Sequence, residues 1–110
     1  MTLKIKSGAS LNGLHPIMRP VLREADRIWQ QHGQQLVITC GTDGEHSAES
    51  WHYYGLALDL RTNFWENEEA ELVYTELKDA LPEYDIIYHK GSHIHGEIGN
   101  ALASTIGALY

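Results

Sequence analysis

The chain has few of the residues that would tie it to a disulfide framework, a nucleic acid or a membrane. It contains a single cysteine, so no internal disulfide can form. Eight lysines and arginines stand against 15 acidic residues, which gives a net charge of −7. This balance leaves no basic face that could displace counterions from a nucleic acid or bind an anionic membrane surface. We therefore expect neither nucleic-acid nor membrane partners.

Long apolar runs are absent as well. No segment reaches the roughly 20 consecutive apolar residues that a membrane-spanning helix requires. The first ten residues, MTLKIKSGAS, include basic residues but lack the apolar stretch of a secretion signal. The sequence thus predicts no transmembrane segment and no signal peptide. We expect a protein that stays in the cytoplasm until lysis or is delivered by a phage particle.

The residues that are present fit one compact domain over positions 1–110. Apolar residues at three-four spacing predict an amphipathic helix that begins at Pro16 or Pro20 and ends at His32, and a second helix is expected from about residue 66 to 82. Short runs rich in apolar residues predict strands at 35–40, 55–60, 85–88 and 93–98. Residues 1–14 are expected to be extended with at most a short strand, and 101–109 to be a last helix. This order predicts an α+β domain with a mostly antiparallel sheet flanked by helices.

The chemistry of the chain is concentrated in residues 43–60, DGEHSAESWHYYGLALDL. His52 and Asp59 lie seven positions apart in this stretch, and His95 supplies a second imidazole from a distant segment. Two histidines and one aspartate are a typical ligand set for zinc. The sequence therefore predicts a zinc site made of His52, Asp59 and His95.

Strand alternation supports this grouping. In a strand over 55–60, the side chain of Asp59 lies on the face opposite three leucines, which it shares with the small residues Gly55 and Ala57. In a strand over 93–98, the polar side chains share one face and two isoleucines share the other: His93, His95 and Glu97 against Ile94 and Ile98. Each strand then has a buried side and a side that could coordinate metal. Three protein ligands with a fourth position open are typical of catalytic zinc.

These residues resemble a known family. The pattern SxHxxGxAxD followed by HxH resembles the signature of the LAS metallopeptidases, the group of zinc D-Ala-D-Ala carboxypeptidases and Hedgehog-type domains. The resemblance implies the fold of that group, Zn²⁺ as the cofactor, and His52, Asp59 and His95 as its ligands. It also implies hydrolysis of an amide bond in peptidoglycan peptides, by a D-Ala-D-Ala carboxypeptidase or a lysin-type endopeptidase of a phage or bacterium.

The resemblance also suggests which residues transfer protons. Many members have an acid three positions before the last ligand, where this chain has Ser92, which cannot take that role. Comparison with the Hedgehog pattern makes His89 the first candidate for the general base, since the pKa of a histidine lies near 7. Glu97 is the second candidate, because it is expected to share a strand face with His95.

Four further residues complete the expectations. His46 corresponds to an active-site histidine of the Hedgehog pattern and His93 to the first position of the family's HxH, so both are expected to orient other groups or to stabilise developing negative charge. The arginine with which carboxypeptidases of this group hold a terminal carboxylate is missing after residues 36–40, unless Arg61 substitutes for it. Cys40, at the end of an apolar strand, is expected to be a small core residue rather than a further ligand.

A second hypothesis has no catalysis. The domain could be a Hedgehog-like zinc-binding module or a phage structural component that keeps the fold and the metal for stability. Replacement of the expected acid by Ser92 and His89 favours this alternative. Both hypotheses predict zinc binding, but only the enzyme hypothesis predicts turnover of a peptide.

Overall fold

The computed structural model describes residues 3–43, 50–52 and 54–107. It confirms the predicted α+β class, with a five-stranded mixed sheet flanked by three helices. The elements in chain order are β1 (Lys4–Ile5), a 3₁₀ turn (Pro16–Met18), α1 (Arg19–Gln31), β2 (Val37–Cys40), β3 (Ala57–Arg61), α2 (Asn67–Ala80), β4 (Tyr84–His89), β5 (His93–Ile98) and α3 (Asn100–Thr105).

The strands lie in the order β1-β2-β3-β5-β4. The short β1 pairs with β2 in parallel, and every other neighbouring pair is antiparallel, as the sequence predicted. Strands β4 and β5, both predicted, form a hairpin in which His89 is opposite His93. Element ends differ from the predicted ones by one or two residues in most cases, because terminal residues are the least constrained part of a helix or strand. No helix in the described ranges is long and apolar enough to cross a membrane.

Helix α1 follows from its apolar stripe. Its buried residues are Val21, Ala25, Ile28 and Trp29, which recur at the three-four spacing that places them on one face. Proline occupies the first turn, where a missing backbone N–H costs nothing. The helix ends before Gly33, which has a φ of 78° that favours glycine.

Helices α1 and α2 pack against one face of the sheet. That face carries Leu58 and Leu60 of β3 and Ile94 of β5, all fully buried in the same cluster as the apolar stripes of both helices. Burying such a side chain stabilises the fold by roughly 1.5–3 kcal/mol. The residues between them in sequence therefore lie on the opposite face. Strand β5 accordingly alternates half-buried and buried side chains along its whole length.

Helix α2 begins at Asn67, one residue from its predicted start, and its N-cap, Glu66, makes no side-chain capping hydrogen bond. Thr62 is buried, and a turn closed by the Trp65 N–H and the Thr62 carbonyl separates it from the helix. The turn places Phe64 and Trp65 against the core, and this packing decides where the helix starts.

A histidine joins the two long helices at their exposed edge. His32, just after α1, contacts Glu69 of α2 through Nδ1 at 2.8 Å and Glu76 through Nε2 at 3.1 Å. Carboxylates accept hydrogen bonds, so both ring nitrogens donate only when the ring is charged. The hydrogen bond to Glu69 raises the pKa of His32 above its usual value of 6.5; burial opposes this rise, and Glu76 adds to it.

This contact predicts a pH-dependent stability. Because the pKa of His32 is higher in the folded chain, its contribution is complete below pH 6.5 and is lost as the pH rises through the raised pKa. We expect His32→Gln to remove up to about 1 kcal/mol of stability at acid pH and almost none at alkaline pH. Urea unfolding of the wild-type protein and the variant in EDTA, at acid and at alkaline pH, measures the difference in their free energies of unfolding. Equal losses at both pH values would show that the charged form of His32 contributes nothing.

Candidate metal centre

The sheet face that α1 and α2 do not cover, the open face, carries a row of polar side chains across three strands. The register places Asp59 of β3 between Cys40 of β2 and His95 of β5. Because cross-strand partners in an antiparallel sheet lie about 5 Å apart, the three side chains are brought together by strand pairing alone. The neighbouring row contains Arg61 opposite His93, and His93 opposite His89.

His52 reaches this row from the segment before β3. It lies in a turn in which the Leu56 N–H donates to the Trp51 carbonyl and the Gly55 N–H to the His52 carbonyl. Gly55, with a φ of 73°, returns the chain into the strand. His52 is only 6% exposed, and its Nδ1 lies 2.9 Å from the carbonyl oxygen of Gly41. The seven-residue spacing between His52 and Asp59 is therefore one turn followed by the first half of a strand.

Three imidazoles surround one oxygen of Asp59. The distances to Oδ1 are 2.8 Å from His95 Nδ1, 3.4 Å from His52 Nε2 and 3.8 Å from His93 Nε2. The rings of His52 and His95 have centroids 5.0 Å apart. The structure thus brings together the three residues that the sequence predicted as ligands, and it adds His93 beside them.

Hydrogen bonding fixes which nitrogen of His52 faces the aspartate. A carbonyl oxygen only accepts, so Nδ1 of His52 carries the hydrogen that it donates to Gly41. In the neutral ring, Nε2 then directs a lone pair toward the carboxylate of Asp59, 3.4 Å away. Two electron-rich atoms at this distance repel each other unless Nε2 also carries a proton, as in the charged ring, or a metal cation lies between them. Zinc–donor bonds of about 2.0–2.1 Å at tetrahedral angles separate two donors by roughly 3.3 Å, which fits this pair.

The titratable side chains of the cluster shift one another's pKa values. Burial acts to raise the pKa of Asp59, but interactions with His52 and His95 outweigh it and hold this pKa well below its usual range. Burial likewise acts to lower the pKa of His95, but hydrogen bonds to Asp59 and Glu97 raise it above the usual value. The pKa of His93 is lowered, mainly by burial and against the attraction of Asp59. Asp59 is therefore a permanent anion, and His93 is neutral at pH 7.

Cys40 belongs to the same cluster, although its position at the end of an apolar strand predicted a small core residue. One donor atom each from Cys40, His52 and Asp59 lie within 4.8 Å of one another, a triad compatible with a bound zinc ion. The thiol sulfur lies 3.9 Å from Nδ1 of His52, and the residue is only half-buried. Burial, with the charges of Asp43 and Asp59, raises the pKa of Cys40 to about 11. The sequence carried no signal for this place of Cys40, because it depends on the pairing of β2 with β3.

Comparison with known proteins names no family for this chain. No family model matches it, and no curated protein matches it significantly. The donor cluster is thus the structural support for a metal site, and the resemblance of the motifs stays a prediction.

The other predicted site residues are placed as follows. Glu97 lies on the open face, where its Oε1 accepts a hydrogen bond from His95 Nε2 at 2.7 Å. His89 is exposed at the end of β4. Its ring stacks on that of His93, with centroids 4.5 Å apart, and its centroid lies 6.5 Å from that of His95. Ser92 is hydrogen-bonded through its hydroxyl to Nδ1 of His93 at 2.7 Å. His46 lies outside the described residues.

Proposed function

We propose that this protein is a zinc-dependent hydrolase that cleaves an amide bond in peptidoglycan peptides. The observation that carries the proposal is the approach of His52 Nε2 and His95 Nδ1 to one oxygen of Asp59 on a face of the sheet left open by the helices. The motif resemblance supports the choice of substrate. His52, Asp59 and His95 would hold the zinc ion.

The residues around these ligands fit supporting roles. Gly41 and Glu97 accept hydrogen bonds from the far nitrogens of His52 and His95, as carbonyl and carboxylate groups behind metal-ligating histidines commonly do. Zinc, when bound, lowers the pKa of a coordinated water and polarises the carbonyl group to be cleaved. Because Glu97 is engaged with His95, it is better suited to orient that ring than to shuttle protons.

Proton transfer is assigned to His89 and His93. His93 is neutral at pH 7 and its Nε2 lies 3.8 Å from Asp59, so it can take a proton beside the ligands. Ser92, at the position of the usual acid, holds the opposite nitrogen of this ring. His89 stacks on His93 and is open to solvent, where protons exchange.

Release of amino groups or free D-alanine from purified peptidoglycan fragments tests the proposal. We expect zinc-dependent release by the wild-type protein, loss of release in His52→Ala, and a reduction of roughly 100-fold or more in His93→Ala with zinc still bound. A similar loss in His89→Ala would make both rings part of proton transfer. No release by the zinc-loaded wild-type protein would contradict the proposal.

Cys40 supports the second candidate, a non-catalytic zinc module. If Cys40 joins His52, Asp59 and His95, four protein ligands close the site, which is the arrangement of structural zinc. The raised pKa of Cys40 does not decide between the two arrangements, because a zinc ion that binds a thiol removes its proton.

Cys40→Ser separates the two arrangements. An open site predicts that this variant keeps its zinc affinity within a few-fold. A closed site predicts a loss of at least about 100-fold, because a ligand is removed. Competition with a zinc-binding dye measures the change.

A further inference from the structure

Strand β4 forms an edge of the sheet. It is the last strand in the order β1-β2-β3-β5-β4, and in the described part of the chain no other strand lies along its outer side. Its six residues pair with β5 without a bulge, and its sequence, YDIIYH, contains neither proline nor lysine. Natural sheets commonly use a bulge, a proline or a lysine to keep an edge from pairing with a further strand. The outer side of β4 is therefore suited to pairing.

The side chains of β4 that lie on the open face have a symmetric arrangement. Ile86 is buried in the core, so alternation places Asp85, Ile87 and His89 on the open face. All three are exposed, and Ile87 is 45% exposed although it is a large apolar residue. The open-face side of this edge thus has an apolar centre, with a carboxylate on one flank and an imidazole on the other.

This arrangement is complementary to itself. When two copies of β4 pair in antiparallel fashion with Ile87 opposite Ile87, Asp85 of each copy lies opposite His89 of the other. A carboxylate accepts a hydrogen bond from the N–H of an imidazole in either protonation state of the ring. Apolar pairs and pairs of complementary polarity directly opposite each other each stabilise a sheet by roughly 0.2–1 kcal/mol. A two-fold axis perpendicular to the sheet relates the copies, and the same pair of contacts occurs twice.

Other registers lack this complementarity. A shift of the second copy by two residues places Asp85 opposite Ile87, and a shift by four places it opposite the other Asp85, where like charges repel. A shift by one residue brings core-facing side chains of one copy against open-face side chains of the other. The pattern of β4 therefore favours one register of self-pairing.

We infer that the protein forms a two-fold homodimer by antiparallel pairing of β4 with β4 of a second copy, with Ile87 at the two-fold axis. The two five-stranded sheets become one continuous sheet, with both candidate metal centres on the same face. The dimer does not depend on the proposed function, because Asp85 and Ile87 have no part in it and each chain supplies all its own candidate ligands.

Sedimentation equilibrium in EDTA tests the dimer, since EDTA removes any metal ion that could bridge two copies. An interface of one strand pair is small, so we expect a Kd for the wild-type protein below about 100 µM. Ile87→Lys places two like charges opposite each other and should raise this Kd at least about 10-fold. Far-UV circular dichroism checks that this variant, changed at an exposed position, is folded.

Ile5→Lys is the matched control, because Ile5 is 41% exposed and lies on β1 at the opposite edge of the sheet. It should dimerise like the wild-type protein. A dimer that Ile87→Lys leaves intact, or one that both variants weaken equally, would overturn the inference. A wild-type protein that stays monomeric at about 200 µM would also overturn it, and would leave this edge to an extended peptide of another protein.

Disulfide cross-linking tests the register. In a Cys40→Ser background, Ile87→Cys should link two chains on mild oxidation in EDTA, because residues directly opposite each other in antiparallel strands lie within the reach of a disulfide. Ile5→Cys in the same background should not link them. No cross-link in Ile87→Cys, or equal cross-linking of both variants, would contradict the pairing of Ile87 with itself.

Discussion

Asp59→Asn is expected to abolish the stabilisation of this protein by zinc. At a zinc concentration of about 100 times the wild-type Kd, binding adds about 2.7 kcal/mol to the free energy of unfolding, which for a chain of this size raises Tm by roughly 10 °C. The variant keeps the shape of the side chain but loses the anionic oxygen that faces the imidazoles of His52 and His95. Its Tm should therefore not respond to zinc.

Asp85→Asn is the matched control for this variant. Asp85 lies opposite Glu97 in the sheet register and is exposed, so its replacement removes one negative charge near the site without removing a donor. The control should keep the full zinc response in a thermal melt. A wild-type response in Asp59→Asn would show that zinc does not bind through Asp59. Loss of the response in both variants would show that the loss reflects negative charge near the site rather than a ligand at Asp59.

Gly55→Ala is expected to have the largest effect on folding itself. Gly55 has a φ of 73°, which is unfavourable for alanine, and an added Cβ would collide with the backbone of Gly13 and His15. The His15 N–H also donates to the Gly55 carbonyl at 2.9 Å, so the two segments cannot separate without losing this bond. We expect a loss of about 3 kcal/mol or more in the free energy of unfolding.

Gly33→Ala separates backbone strain from collision. Gly33 has a similar φ of 78°, but an added Cβ there meets no atom within 4 Å. This control should lose only about 1 kcal/mol. Urea unfolding in EDTA compares the two variants, and equal losses would contradict the close approach of the two backbones at Gly55. Because Gly55 follows His52 by three residues, its variant should also bind zinc more weakly.

The sequence was sufficient where local periodicity decides the structure. Alternation in β3 and β5 correctly placed Asp59, His95 and Glu97 on one face and the leucines and isoleucines on the other, because a side-chain period of two leaves a half-buried strand only one register. The spacing of apolar residues predicted α1 for the same reason. Both inferences need only residues that lie two to four positions apart in the chain.

The sequence was insufficient where distant segments meet. The place of Cys40 beside Asp59 depends on the pairing of β2 with β3, and the carbonyl partner of His52 Nδ1 depends on how residue 41 approaches the turn at 51–55. The shifts in the pKa of Asp59 and of Cys40 follow from these contacts and not from residue type. The cleft of about 320 Å³ beside Asp59, which Lys6 and Arg61 also line, likewise needs β1 beside β2, a contact between segments about 30 residues apart.

A stoichiometric zinc titration of the metal-stripped protein tests the central claim most directly. Elemental analysis after gel filtration should show one zinc ion per chain in the wild-type protein and none in the double variant His52→Ala, His95→Ala. Zinc retained equally by both proteins would place the ion elsewhere. No zinc retained by the wild-type protein would contradict a metal centre on the open face of the sheet.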